Sequence, residues 1–342
     1  MLTCKKESPV TPTPLPSGPD TTSHNFTFTQ YTFSNNGGSS YLKDVAIVND
    51  SDIWAVGAIY ATLDTMYNAV HWNGQKWQLL QLLFYVSCGD SQMTPYPINS
   101  VFSFNPTDVW FSDYGEMIHW TGTSFEQDCS VNSQINGAIN RIWGTSSSNL
   151  FVVGNIGTIV HYNGTTWTKQ SSGTTIDLHD VWGTQDGSVV WACGYATYDN
   201  SSILLKYDGS QWKTIWTRPG RVTPPYVDFI TSIWGDKHLF SSTNYGVYTQ
   251  NISGTNTAVQ SLPLPHFPYS IRGSAENNVA VVGDLAMIWH YNGTDWKSLN
   301  VTNLDQPLYS VAVSTNTIVG VGADYDLISG LPLIYLGKRI SQ

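Results

Sequence analysis

Charge is scarce in this chain. Of 342 residues only 12% are Asp, Glu, Lys or Arg, and 25 acids face 15 bases for a net charge of −10. With no basic stripe to neutralise phosphates, nucleic acid is excluded as a partner. The same lack argues against docking on anionic lipid through basic patches. No apolar run approaches the ~18–20 residues of a membrane helix. Capped stretches with 3.6-residue periodicity are missing, so helices are not expected. Glutamate occurs only at Glu7, Glu116, Glu126 and Glu276. Most of the remaining acids are Asp in turn-like positions, where hydrogen bonds to local backbone account for them. There is no Gly-x-Ser-x-Gly, P-loop, dinucleotide fingerprint, His-Glu-x-x-His or Cys/His zinc spacing. No catalytic residue, cofactor or metal is therefore assigned.

Aromatic residues are abundant instead: 14 Trp, 19 Tyr and 12 Phe. They recur with a period. Ile142-Trp143-Gly144, then Val152-Val153-Gly154, then His161-Tyr162-Asn163-Gly164 and Trp167 form one unit. Further units are centred on Val181-Trp182-Gly183 and Ile271-Arg272-Gly273, and weaker ones start at Val45, Val101, Ile233 and Val311. The seven units lie 38 to 56 residues apart. Each reads as four strands: A (Val/Ile-Trp-Gly), B (an apolar run ending in Gly), C (ending before Asn/Asp-Gly) and D (carrying a Trp). The Asn/Asp-Gly pairs predict two-residue type I′ hairpins between C and D. Seven such units predict an all-β fold, a seven-bladed propeller of four-stranded antiparallel blades.

The chain ends support closure. The last unit has A (310–314), B (317–322) and C (331–337) but little room for D. Residues 25–33, Asn-Phe-Thr-Phe-Thr-Gln-Tyr-Thr-Phe, form a spare strand with apolar residues alternating with polar ones. That strand is expected to pair with 331–337. The expected organisation is a tether over 1–24 and one propeller over 25–342.

Two resemblances follow from these residues. The repeat Trp-Gly-Thr…Val-Val-Gly…His-Tyr-Asn-Gly-Thr-Thr-Trp is similar to that of secreted and lipid-anchored bacterial propellers called BNR/Asp-box-like or photosystem II assembly-factor-like. It covers about residues 44–337 and implies the fold. Gly164 and Trp167 keep the Asp-box spacing, but Tyr162 stands in place of its Asp. The only arginines are Arg141, Arg218, Arg221, Arg272 and Arg339, with no motif clustering three of them. Sialidase activity is therefore not implied. At the start, Cys4-Lys5-Lys6 before a Pro/Thr/Ser-rich stretch resembles the mature start of a Bacteroidetes-type lipoprotein. Leu2 and Thr3 form only a fragment of the lipobox, and the signal segment is missing. The resemblance implies lipidation of Cys4 and an outer-membrane address, periplasmic or surface-exposed. Asp20-Thr21-Thr22 resembles the short O-glycosylation motif of the same bacteria.

Candidate sites follow from loop arithmetic. In an A-B-C-D meander the B–C and D–A connections share one face, and they hold the length variation. On them stand Tyr60, Tyr67, Tyr195, Tyr198, Trp216, Arg218, Arg221, Tyr226 and Tyr325, residue types that suit a recognition surface. Trp143, Trp182, Trp234 and Arg272 share strand-A positions near the axis. They line a channel or pack blade on blade. His71, His119, His161 and His290 occupy one slot of the repeat, which places them around a ring and not together. Each is read as a strand-C hydrogen-bonding group. Cys88 and Cys129 fall in the D–A connections of neighbouring blades and are expected to form a disulfide; Cys193, inside a B strand, is expected to be a buried thiol. The expected function is a non-catalytic, monomeric cell-envelope scaffold that binds protein or glycan. The alternatives are a glycoside hydrolase or polysaccharide lyase with an axial cleft, and a structural or assembly factor.

Overall fold

The computed structural model describes residues 21–33, 38–62, 64–86, 88–218, 229–244, 246–252, 258–299, 306–325 and 330–340. Cys4, Arg221 and Tyr226 lie outside these. Seven four-stranded antiparallel sheets are ordered sequentially, as a propeller requires. Blade three is typical, with strands Ile139–Ser146, Asn149–Gly154, Thr158–Tyr162 and Trp167–Gln170. Each sheet buries both faces against its neighbours, and the apolar clusters accordingly span blade pairs; one unites Trp143 and Phe151 of blade three with Val181, Leu205 and Trp212 of blade four.

Closure uses the first strand. Phe26–Thr32 pairs antiparallel with Leu331–Arg339, in register from Phe26 opposite Arg339 to Thr32 opposite Leu333, and completes blade seven. A Cβ on Gly337 would lie 2.5 Å from the Phe28 ring, so a bare backbone is what seats this strand. The packed segment begins earlier than the expected tether boundary. The Thr22 amide donates to the Asn292 carbonyl (3.0 Å), and Arg339 donates to the Ser23 carbonyl.

Two local expectations are corrected. The C–D connections contain four residues, not two, since Tyr162 pairs with Trp167 across 163–166. Only the glycine is left-handed (Gly164, φ 89°), so the turn is not type I′. The Asn163 side-chain oxygen instead accepts the Thr165 and Thr166 amides (3.0 and 2.9 Å), which closes the loop without a positive φ at Asn. Tyr60 and Tyr67, expected on a B–C connection, lie instead in a long hairpin of Asp52–Thr62 and Thr65–Trp72.

Around the axis runs a hydrogen-bonded ring. The residue just before the strand-A Val/Ile is Asp44, Ser100, Arg141, Asp180, Ser232, Ser270 and Ser310 in blades one to seven. Its side-chain oxygen accepts the Val/Ile amide of the next blade: Asp44 from Val101 (3.0 Å), Ser100 from Ile142 (3.2 Å), Asp180 from Ile233 (2.9 Å), Ser232 from Ile271 (3.1 Å) and Ser270 from Val311 (3.3 Å). Arg141 has no acceptor to offer, and Asp180 takes its own Val181 amide (3.0 Å), as Asp44 takes that of Val45 (2.9 Å). At closure, Ser310 donates to Asp44 (2.7 Å). Arg272 grips Asp180 with both terminal nitrogens (2.6 and 2.8 Å), and Arg141 bridges Asp44 and Asp180. Burial alone would raise the Asp180 pKa, but Arg272 and then Arg141 hold it below the ordinary carboxylate value.

Two outcomes are expected in urea unfolding. Asp180→Ala leaves Arg272 buried without its counter-charge and costs about 3–5 kcal/mol, whereas Ser270→Ala orphans one amide and costs about 1–2 kcal/mol. Gly337→Val drives a side chain into Phe28 and costs about 1–3 kcal/mol, read as a lower thermal midpoint.

Candidate binding site at the channel mouth

Strand A begins on the B–C/D–A face, and there it carries a bulge. In blades one, three, four, five, six and seven the A–B register shifts by one residue just before the ring position. The extra residues are Lys43, Asn140, His179, Thr231, Tyr269 and Tyr309. A bulge frees its residue from ladder pairing and re-aims the side chain. It also explains the glycine ending strand B. A Cβ at Gly154 or Gly194 would collide with the carbonyl just before strand A, that of Ala138 or Asp177.

Aromatic rings gather around these residues. His179 lies 4.5 Å from Tyr195, which lies 5.0 Å from Phe229 and 6.5 Å from Phe267. Phe267 leads to Tyr269 (5.2 Å) and Tyr269 to Tyr309 (5.4 Å). The Tyr309 and Tyr325 hydroxyls are 3.1 Å apart, and the Lys43 ammonium sits 5.9 Å from the Tyr309 ring centroid. Burial, then the charge of Arg141, lowers the Lys43 pKa. Burial also lowers that of His179, which keeps its imidazole neutral, while the Lys43 side chain itself is exposed at the mouth. Tyr269 and Tyr309 are pushed up, first by burial and then by Asp284 and Tyr325 respectively, so both keep their hydroxyl protons. The mouth thus presents flat half-buried rings, hydroxyl groups and one cation.

The sequence-predicted residues divide. Tyr195 and Tyr325 stand at the mouth. Tyr60 is half-buried near the strand end of blade one, where the Ser40 hydroxyl accepts its amide (2.9 Å). Tyr67 packs on the blade-one core. Tyr198 is 84% exposed in the turn after Val190–Ala196. Trp216 is not on a loop: it belongs to Trp212–Arg218, pairs with Leu204 and packs against the cluster that contains Trp191 and Cys193. Arg218 ends that strand opposite Ser202. Lys43, His179, Tyr269 and Tyr309 escaped the sequence reading. Their signal was the position two residues before the Val/Ile of each repeat.

Beyond the ring, the axial positions are mainly packed. Trp143 and Trp234 are 3% exposed, each lying over the glycine of the next blade, Gly183 or Gly273. A cavity of about 190 Å³ is lined by Phe102, Trp182, Arg272, Arg141 and Asp44. Arg272 stacks 4.9 Å from the Trp182 ring, with its charge committed to Asp180.

Cys88 and Cys129 form a disulfide of 2.10 Å, and Cys193 is a buried free thiol. Glu116 lies beside the disulfide, but bridged sulfurs offer no thiolate for a metal. The repeat-slot histidines each meet an Asp or Asn at the start of strand B: His71 with Asp52 (2.7 Å), His119 with Asp108 (2.8 Å), His161 with Asn149 (2.7 Å) and His290 with Asn278 (2.9 Å). His290 also contacts His24 through their Nδ1 atoms (2.8 Å).

No protein-family model matches the chain, and no curated protein matches it. Solved structures do match. A YCF48 structure described as bound to D1 peptide shares 14% identity at TM-score 0.63, covering 96% of this chain and 97% of that one. The WD40 propeller domain of Doa1 shares 13% identity at TM-score 0.63, covering 91% and 97%. YCF48 from Cyanidioschyzon merolae shares 14% at TM-score 0.61, covering 91% and 98%. These likenesses show the fold.

Burial, followed by the charges of His24 and Arg339, lowers the His290 pKa to about 3. The unfolded chain takes up this proton near pH 6.5, before the folded chain does. His290 therefore contributes fully above that pH and makes stability fall as the pH drops toward 3. Denaturant titrations from pH 7 to 4 should show this loss, with a shallower slope in His290→Gln.

Proposed function

We propose that this propeller is a non-catalytic scaffold that holds a peptide segment of a partner protein at the mouth on its B–C/D–A face. The carrying observation is the arc His179–Tyr195–Phe267–Tyr269–Tyr309–Tyr325 closed by Lys43. Tyrosine gives large contact area and a hydroxyl at small entropic cost. Lys43, exposed at the mouth with Arg141 close by, favours a segment bearing an acidic side chain or a terminal carboxylate. The YCF48 structure bound to a peptide supports the reading by analogy of fold. The axial acids Asp44 and Asp180 are saturated by arginine, serine and amide donors, which favours a structural role for them over general acid–base work. Lipid anchoring through Cys4 in a bacterial envelope belongs to the same reading. Its supports are the Cys-Lys-Lys start with its tether and the Cys88–Cys129 disulfide, which suits an oxidising compartment.

The test is a randomised peptide library panned against the full chain, with selected peptides then measured by fluorescence anisotropy. Lys43→Ala and Tyr309→Ala should each weaken binding about tenfold, which corresponds to roughly 1.4 kcal/mol. Tyr198→Ala should bind as the wild type does. Equal affinity in all three variants would remove the mouth from the mechanism.

A further inference from the structure

The Cys88–Cys129 bridge has a neighbour that a plain crosslink does not require. Cys88 lies in the turn of the short hairpin Leu83–Tyr85 and Met93–Pro95, inserted between blades one and two. Cys129 follows strand Phe125–Asp128 of blade two. Glu116 comes from the B–C turn of that blade, between Asp108–Ser112 and Met117–Trp120. Three separate segments thus bring two sulfurs and a carboxylate within 4.8 Å of one another.

The carboxylate is placed where it lacks a donor. Glu116 is largely buried, and its Oε2 accepts the Gln127 side-chain amide. Its Oε1 lies 3.3 Å from Cys88 Sγ and meets no other donor among the described residues. A buried oxygen needs a hydrogen-bond partner, and a bridged sulfur has no proton to give. Two states answer that need. With the bridge intact, Glu116 carries the proton and directs it at the sulfur. With the bridge open, the Cys88 thiol donates to the carboxylate. Burial, then the charge of Asp113, raises the Glu116 pKa, in keeping with the first state. The other acids on these segments are turned to local donors. Asp113 accepts the Gly115 and Glu116 amides, Asp90 those of Ser91 and Gln92, and Asp128 the Ser130 amide and the Trp167 indole.

The bridge is also reachable, and the hairpin has other holds. Cys88 is exposed and Cys129 partly so. Phe84 is fully buried, and the Tyr85 amide donates to Gln127 Oε1 (2.7 Å). Gln127 therefore touches both the hairpin and Glu116. Cys193, sealed in the core, takes no part.

We propose that Cys88–Cys129 is a site of thiol–disulfide exchange with dithiols and that Glu116 is its general acid. One thiolate of the dithiol attacks the Cys129 sulfur, and a new S–S bond forms as the Cys88–Cys129 bond breaks. The electron pair of the broken bond goes to Cys88. Glu116 gives that sulfur its proton, leaving a Cys88 thiol and a Glu116 carboxylate. The second thiolate of the dithiol then attacks its partner sulfur in the mixed disulfide and releases Cys129 as a thiolate. The dithiol ends as a disulfide, and the protein pair is reduced. A free thiol titrates at about 8.5, well above a carboxyl group, so the proton moves downhill to the leaving sulfur. Opening the bridge unties the hairpin turn from the connection after blade two, on the B–C/D–A face.

The test uses the full chain with Cys4→Ser as parent and dithiothreitol as the reductant. Acid-quenched samples are alkylated, and modification of Cys88 and Cys129 is followed by mass spectrometry from about pH 4.5 to 8. Each rate is divided by the concentration of dithiothreitol thiolate. At the acid end the parent should react about tenfold faster than its Glu116→Gln variant. Its normalised rate should fall as Glu116 loses its proton, while the variant stays flat. A parent profile without that step overturns the inference. So does a Glu116→Gln rate that equals the acid-limb parent rate at every pH, which would mean that the carboxylate only repels the incoming thiolate. With glutathione as the thiol, early acid quenching should trap the mixed disulfide on Cys129. Trapping it on Cys88 instead overturns the proposal, since Glu116 then stands beside the wrong sulfur.

Discussion

A buried side-chain oxygen reaching for the neighbouring blade's amide is the contact on which this propeller depends. Sheets packed face to face are held by apolar area, which is strong but indifferent to small slips. The strand-A amides at the axis would lose water without gaining a partner, a cost of about 1–3 kcal/mol each if left unmet. The ring Asp44–Ser100–Arg141–Asp180–Ser232–Ser270–Ser310 meets most of them, and it fixes the angular register of the blades. Where Arg141 interrupts the acceptors, Asp180 serves two amides and two arginines. The charges are thus part of the fold. Removing one partner costs far more than the pair contributes over an apolar substitute.

The ring also places the mouth. The bulge that swings Asp44 or Asp180 toward the next blade leaves one residue unpaired, and that residue faces the B–C/D–A side. Structure and recognition are therefore coupled at adjacent positions, Lys43 beside Asp44 and His179 beside Asp180. A scaffold built this way can vary the mouth residue freely while the ring residue stays an acceptor.

Blade number, strand order and closure were legible because they rest on repetition: Trp-Gly, the terminal Gly of strand B, and one missing strand matched by one spare strand. The mouth was not, because its signal is a residue displaced by a bulge, and alternation alone does not reveal a bulge. The glycines that end strand B, such as Gly154, were read as the end of an apolar run when they mark the close approach of strand A. Long connections drew attention to Trp216, which proved to be a core-facing strand residue, and to Tyr198, an exposed turn residue. The Asn-Gly pairs misled in a smaller way, since an Asn side chain can close a four-residue loop as well as a left-handed backbone closes a shorter one.

Because Phe26–Thr32 is the last piece of blade seven yet is made before every other strand of the propeller, its place exists only once Leu331–Arg339 has left the ribosome. Until then the alternating phenylalanines have no sheet edge of their own to join, and blade seven is an open, unpaired template. Synthesis order and spatial order are opposed at this one seam, which makes it the point where a newly made chain is most exposed to pairing with a neighbour.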